Sequence, residues 1–269
     1  HTLSPDGHSS APTAVSMLHA GVLMKLGGYG ALRIAVYLLP EGAKAWALLF
    51  MVLTTINILY GSFAAIVQKD LKYFTAYSSV SHCGFVLFGV ASLNFMGLKG
   101  AVIQMFSHGI MTGLFFGLIG MVYSRTHSRM IPEMGGLGKV MPWLATAFYL
   151  AGLASLGLPG LSGFVAETHV FLGGFFGNPW VDAAVARTLT VIATLSIVVT
   201  AVYVLRGLAT VFQGPIVNPG FERLTDATWN ERIATGLLVA VLVVVGLAPW
   251  PFIALIKGAL MPLLNRVYQ

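Results

Sequence analysis

Runs of about twenty apolar residues recur along this chain, and their length decides its solvent. A bilayer core of about 30 Å is crossed by roughly 20 apolar residues in helical conformation. Residues 13–39, 45–67, 73–93, 98–123, 187–212 and 231–253 pass that test. A further apolar stretch, residues 140–176, is too long for one straight span and is interrupted by Gly157-Leu158-Pro159-Gly160. Proline removes a backbone donor and clashes with the preceding turn, and glycine relaxes the chain, so this helix should break near its middle. A broken helix survives in lipid only where protein or a wet cavity satisfies the freed backbone groups. Gly157, Pro159, Gly160 and Gly163 therefore mark a candidate site, with a packed proline kink as the plainer alternative. The pattern predicts an all-α polytopic membrane helix bundle of about seven transmembrane segments, one of them broken.

The connections, such as residues 40–44, 68–72 and 94–99, leave no room for a soluble domain. Only 9% of residues are charged against about 25% in soluble domains, so water cannot be the main solvent. The net charge of +6 comes from lysines and arginines scattered singly between apolar runs, which argues against nucleic acid. Alternate threading puts Lys69, Lys72, Arg125, Arg129, Lys139, Arg206, Arg223 and Arg232 on one side, and Lys44, Lys99, Arg187, Lys257 and Arg266 on the other. The positive-inside rule turns the first side to the cytoplasm. A single cysteine, Cys83, excludes an internal disulfide and reads as an apolar packer. The chain opens at His1 with neither methionine nor a charged segment before an apolar run, so no signal peptide is visible and an N-terminally truncated chain is expected.

A charge near the bilayer centre costs about 2.5–3.5 kcal/mol even on lenient insertion scales, so ionisable groups at depth need a reason. Lys25 lies roughly 18 Å into its helix at 1.5 Å per residue, too deep for simple snorkelling. Glu167 falls seven residues after Gly160, in the second half of the broken segment. His82 shares a helix face with Ser78 and Ser79, and His108 with Gln104 and Thr112, so two helices carry polar stripes suited to holding water. A satisfied interhelical hydrogen bond is the alternative for either histidine, and a packing role the alternative for Lys25 and Glu167. Four titratable groups on four apolar segments favour a proton relay. Lys69, Asp70 and Lys72 cluster at a helix start, as a solvated loop or as a gate for proton uptake or release. His19 and His169 read as local tuning or structural groups. Nucleotide-binding, zinc-protease and C-x-x-C motifs are absent, so neither a metal site nor a redox centre is expected on this chain.

These residues also resemble a family, the antiporter-like, proton-translocating membrane subunits of respiratory complex I and their cation/proton antiporter relatives. The resemblance is carried by the opening from His1 through Pro5-Asp6-Gly7-His8 to Ala11-Pro12-Thr13, and by Ala20-Gly21-Val22-Leu23-Met24-Lys25-Leu26-Gly27-Gly28-Tyr29-Gly30. It continues through Asp70 to His82, Gly100 to His108, and Gly157 to Glu167. It extends to about Phe212. An acid at position 167 is the pattern of the family's M-type branch. Departures are Leu3 for a usual tryptophan, Ala166 for a usual glycine and His169 at an apolar position.

The resemblance implies part of an inverted-repeat antiporter-like fold. Residues 1–44 would hold a loop and the last helix of a first repeat, residues 45–213 a second repeat, and residues 214–269 a loop and final helix. It implies a bacterial plasma membrane or its organellar equivalent, no cofactor on this chain, and neighbouring antiporter-like subunits as partners. NADH and quinone would be bound by other subunits. Lys25 would pass protons between half-channels, His82 and His108 would relay them with water, and Glu167 would be the terminal exchange group. A monovalent cation/proton antiporter subunit, an energy-converting hydrogenase subunit and a scaffold with structural charges are the alternatives.

Overall fold

The computed structural model describes residues 2–269; His1, which heads the opening motif, lies outside them. The short helix α1 (Leu3–Ser10) ends before Pro12, whose extended backbone leads into α2 (residues 13–38). Helix α2 is not uniformly α-helical, because His19–Leu23 and Ala31–Leu38 are π-helical on either side of Met24–Gly30. Residues 40–44, read from the sequence as a connection, form a short helix, α3 (Pro40–Ala45). Proline at its first turn and a Lys44–Glu41 pair at 2.7 Å account for the difference.

Helices α5 (Leu71–Ala91) and α6 (Phe95–Thr126) form the centre of the bundle, and α4 (Ala47–Ile66) packs against α5 with its other face exposed. Asp70 caps α5 by accepting from the backbone N–H groups of Lys72 and Tyr73, and Asn94 caps α6 at Gly97. Helix α5 is the most buried of the long apolar helices. Small residues let its neighbours approach: a Cβ at Gly61 of α4 would lie 2.6 Å from the Ser81 nitrogen, where Ser62 and Ser81 share a 2.8 Å hydroxyl hydrogen bond.

The broken segment is observed as α7 (Pro142–Ser155) and α8 (Ser162–Phe176). At about 21 Å and 22 Å neither crosses a bilayer alone. Gly157 and Gly160 at the break have φ of +64° and +93°, a region that side-chain-bearing residues enter at a cost.

The window at residues 187–212 begins earlier and divides into α9 (Ala183–Thr194) and α10 (Ser196–Phe212). The final window also divides. Helix α11 (Trp229–Leu247) stops before Pro249, and α12 (Trp250–Tyr268) continues as a separate helix. Its buried face, Ile256, Leu260, Leu263, Leu264 and Val267, packs with Leu32 and Val36 of α2 and Leu98 and Ala101 of α6. By length and composition five helical segments can cross a membrane, at Ala47–Ile66, Leu71–Ala91, Phe95–Thr126, Ala183–Phe212 and Trp229–Leu247. Among the described residues there is no β-strand, only an isolated bridge between Asp70 and Met130.

Several of the charges pair at helix ends. At one end Arg129 pairs with Asp70 at 3.2 Å, Arg125 with Glu231 at 2.6 Å and Arg232 with Asp226 at 3.7 Å. At the other, Lys44 lies over Trp180, Lys99 over Phe95 and Arg187 over Phe175.

Candidate functional site

The break between α7 and α8 positions a buried polar cluster. A Cβ at Gly157 would lie 2.5 Å from Glu167 Oε2, so glycine there both permits the turn and makes room for the carboxyl group. A Cβ at Gly163 would collide with the Ala154 carbonyl, which lets the start of α8 fold back against the end of α7. Pro159 lies between the two positive-φ glycines. Ser162, at the start of α8, is tied to Ser107 of α6 by a 2.7 Å hydroxyl hydrogen bond. Glu167 stands one and a half turns into α8, only 4% exposed.

His82 of α5 meets this carboxyl group, with Nδ1 3.6 Å from Glu167 Oε1. Its Nε2 lies 2.9 Å from the Ser155 hydroxyl, and the Gln104 amide nitrogen is 3.2 Å from Nδ1. An amide N–H can only donate, so Nδ1 is the acceptor in this arrangement and Nε2 carries the proton toward Ser155. The ring of His108 stacks on that of His82, with centroids 5.1 Å apart and planes 29° apart. Both nitrogens of His108 and the Gln104 amide oxygen are buried without a protein partner among the described residues. Buried polar groups of this kind are ordinarily satisfied by water.

Lys25 approaches from α2. Its Nζ donates to the carbonyl of Ala20, five residues back, within the π-helical stretch. It lines a cavity of about 180 Å³ with Met24, Gly28, Cys83, Val86 and Met105. Cys83 is thus a wall of the lysine cavity as well as a packing residue. Among the described residues Lys25 forms no ion pair with a carboxylate, yet it is near enough for its charge to act on both His82 and His108. The structure therefore brings Glu167, His82, His108 and Gln104 into one cluster and sets Lys25 beside it.

Ser78 does not reach His82. Its hydroxyl is 2.8 Å from that of Tyr203 on α10, with Ser155 beside the same phenol. Ser155 and Tyr203 extend the cluster and were missed in the sequence, where only their hydroxyls inside apolar windows could have signalled them. Lys69, Asp70 and Lys72 lie apart from the cluster, at the charged end. The Lys69 carbonyl accepts from Ile131 N–H, Asp70 caps α5 and pairs with Arg129, and Lys72 Nζ donates to the Ala11 carbonyl at 2.6 Å. His169 Nδ1 is 2.6 Å from the Val165 carbonyl of its own helix, a local arrangement.

The family model described as NADH:quinone oxidoreductase/Mrp antiporter, transmembrane, matches residues 1–200. NAD(P)H-quinone oxidoreductase chain 4 3 of Picosynechococcus sp. is 45% identical over 213 residues, which is 79% of this chain and 38% of that protein. NADH-quinone oxidoreductase subunit M of Rickettsia prowazekii is 39% identical over 249 residues, covering 93% of this chain and 49% of the relative. The chain thus spans half or less of the length of these relatives. A chain in the structure of respiratory complex I from Thermus thermophilus with bound NADH superposes with a TM-score of 0.83 at 29% identity, over 98% of this chain and 52% of that one.

Proposed function

The chain belongs to the NADH:quinone oxidoreductase/Mrp antiporter transmembrane family, and on that premise we propose that it carries protons across a membrane as part of an M-type subunit of an NADH:quinone oxidoreductase. The observation that carries the reading is the buried contact of Glu167 with His82 at the break of a membrane helix, with His108 stacked alongside. A carboxyl group and an imidazole at 3.6 Å, out of water, favour states that share one proton over states that hold a lone charge.

The chemistry follows from the donor inventory. With Nδ1 of His82 accepting from Gln104, Glu167 is best accommodated protonated. Transfer of its proton to Nδ1 leaves a carboxylate beside an imidazolium. Rotation of the Gln104 amide then presents Oε1, otherwise without a protein partner, as acceptor for the new N–H. Release from Nε2 through the Ser155 hydroxyl, which hands on its own proton as it takes this one, or through water to His108, returns the ring to neutrality. Lys25 biases these states by its charge and exchanges protons within its own cavity. We assign the redox chemistry to partner subunits binding NADH and quinone, with antiporter-like subunits as neighbours and the bacterial plasma membrane as location. Coupling is electrostatic, since a change in one buried charge alters the preferred protonation of the next.

The deciding measurement is protons translocated per electron transferred in the assembled complex. Glu167→Gln keeps the size and hydrogen bonding of the side chain but removes the exchangeable acid, and it should abolish the contribution of this subunit. Unchanged translocation at equal assembly would return Glu167 to a packing role and overturn the proposal.

A further inference from the structure

His8, on α1, has no part in the cluster described above, yet it is the most enclosed titratable side chain of that helix. It is completely buried, between Phe116 of α6 at 5.2 Å and His19 of α2 at 4.4 Å between ring centroids. Its Nε2 lies 3.2 Å from the Met24 sulfur. A thioether can only accept, so the hydrogen-bonded tautomer carries its proton on Nε2 and leaves Nδ1 as a bare lone pair. Nδ1 is buried and has no protein partner among the described residues. A structural histidine ordinarily uses both nitrogens; this one keeps a free basic nitrogen out of bulk water.

Its position lies between groups already placed. Three residues further on, the Ala11 carbonyl receives the Lys72 ammonium at the charged end of the molecule. On the other side Met24, its hydrogen-bond partner, immediately precedes Lys25. Lys25, Lys72 and His19 are the charges that bear on the His8 ring, and His8 in turn bears on His108. The fold holds α1 there deliberately: Ser16 donates to the His8 carbonyl at 2.8 Å, and Tyr73 of α5 donates to Asp6 at 3.0 Å.

We infer that His8 is a further proton-relay residue, carrying protons between the Lys72 end of the molecule and the Lys25 cavity. Nδ1 takes a proton from water to give the imidazolium, Nε2 gives up its proton on the Met24 and Lys25 side, and rotation of the ring restores the starting tautomer, so one proton leaves for each that enters. The half-buried His19 ring lies tilted against His8, with 47° between the planes, and sets a second imidazole beside this step. The inference rests on the proton-carrying reading above and adds to it a segment of path outside the broken helix.

The test uses the full-length subunit in its assembled complex, reconstituted in liposomes, and reads protons translocated per electron. His8→Gln preserves polarity, and His8→Met suits the surroundings of Met24 and Phe116; neither titrates. Both should lower the ratio with electron transfer retained, and by as much as Glu167→Gln run alongside. The ratio is read only on complexes that assemble, so a lower yield does not obscure it. An unchanged ratio in either His8 variant, with Glu167→Gln defective, would overturn the relay while leaving the parent reading in place. If Glu167→Gln is also unimpaired, the parent reading falls and takes this inference with it.

Discussion

At the scale of single residues, the site depends as much on what glycine leaves out as on what the titratable groups supply. Gly157 holds φ of +64° and gives Glu167 Oε2 its space. Alanine there would cost about 1–2 kcal/mol in backbone strain and push the carboxyl group from His82. Gly157→Ala should therefore lower proton translocation per electron and the thermal stability of the assembled complex together. Gly113→Ala, where an added Cβ meets nothing within 4 Å, should leave both unchanged. Much of this was legible, because Lys25, His82, His108 and Glu167 stand out as ionisable residues within apolar windows. What was not legible is how they meet. The 3.6 Å contact of His82 with Glu167 joins residues 85 positions apart, and no periodicity encodes it. His8 escaped for another reason: it precedes the first apolar window, so nothing in the sequence announces that its ring is buried.

At the scale of elements, two helix breaks face one another. Gly246, in the last turn of α11, packs so closely that a Cβ would collide with the Gly160 carbonyl and Leu161 Cα. Leu247, the last residue of α11, lies 3.7 Å from where a Cβ at Gly160 would stand. Helix α11 is also fixed at its start, where Glu231 receives Arg125 and completes a capping box with Thr228, and Trp143 of α7 donates to Thr235 at 3.0 Å. The same helix thus braces the first half of the broken segment at both ends. Gly246→Val should shift the Gly160 carbonyl, lower the thermal stability of the complex and reduce translocation per electron; Gly258→Val, facing open space, should do neither. The break at residues 157–160 could be read from its glycines and proline. Pro249 was equally visible, but apolar residues on both sides of it carried the window through to residue 253. The π-helical stretches of α2 have no such marker. They arise from packing and matter because one of them offers the Ala20 carbonyl to Lys25.

At the scale of the whole molecule, the separation of charge between two ends bears on how the chain is oriented in a membrane. The end holding Arg125, Arg129, Lys139 and Arg223 carries the excess of Lys and Arg, and by the positive-inside rule it should face the cytoplasm. At the opposite end Lys44, in the short helix α3, and Lys99, near the start of α6, lie over aromatic rings. Long cationic side chains of this kind suit the edge of a bilayer, where the apolar stem packs and the charged head reaches polar surroundings. Exposed large apolar side chains such as Leu49, Leu53, Ile56 and Phe63 on α4 lie between the ends, where lipid or a neighbouring subunit can cover them. The orientation can be read from single cysteines placed at two exposed acids, Glu222→Cys at the cation-rich end and Glu41→Cys at the other. A membrane-impermeant thiol reagent added to right-side-out cells should label position 41 and spare position 222, with the pattern reversed in inside-out vesicles. The opposite result would invert the molecule, making the Lys72 and His8 end the releasing side and the path from the broken helix the uptake side.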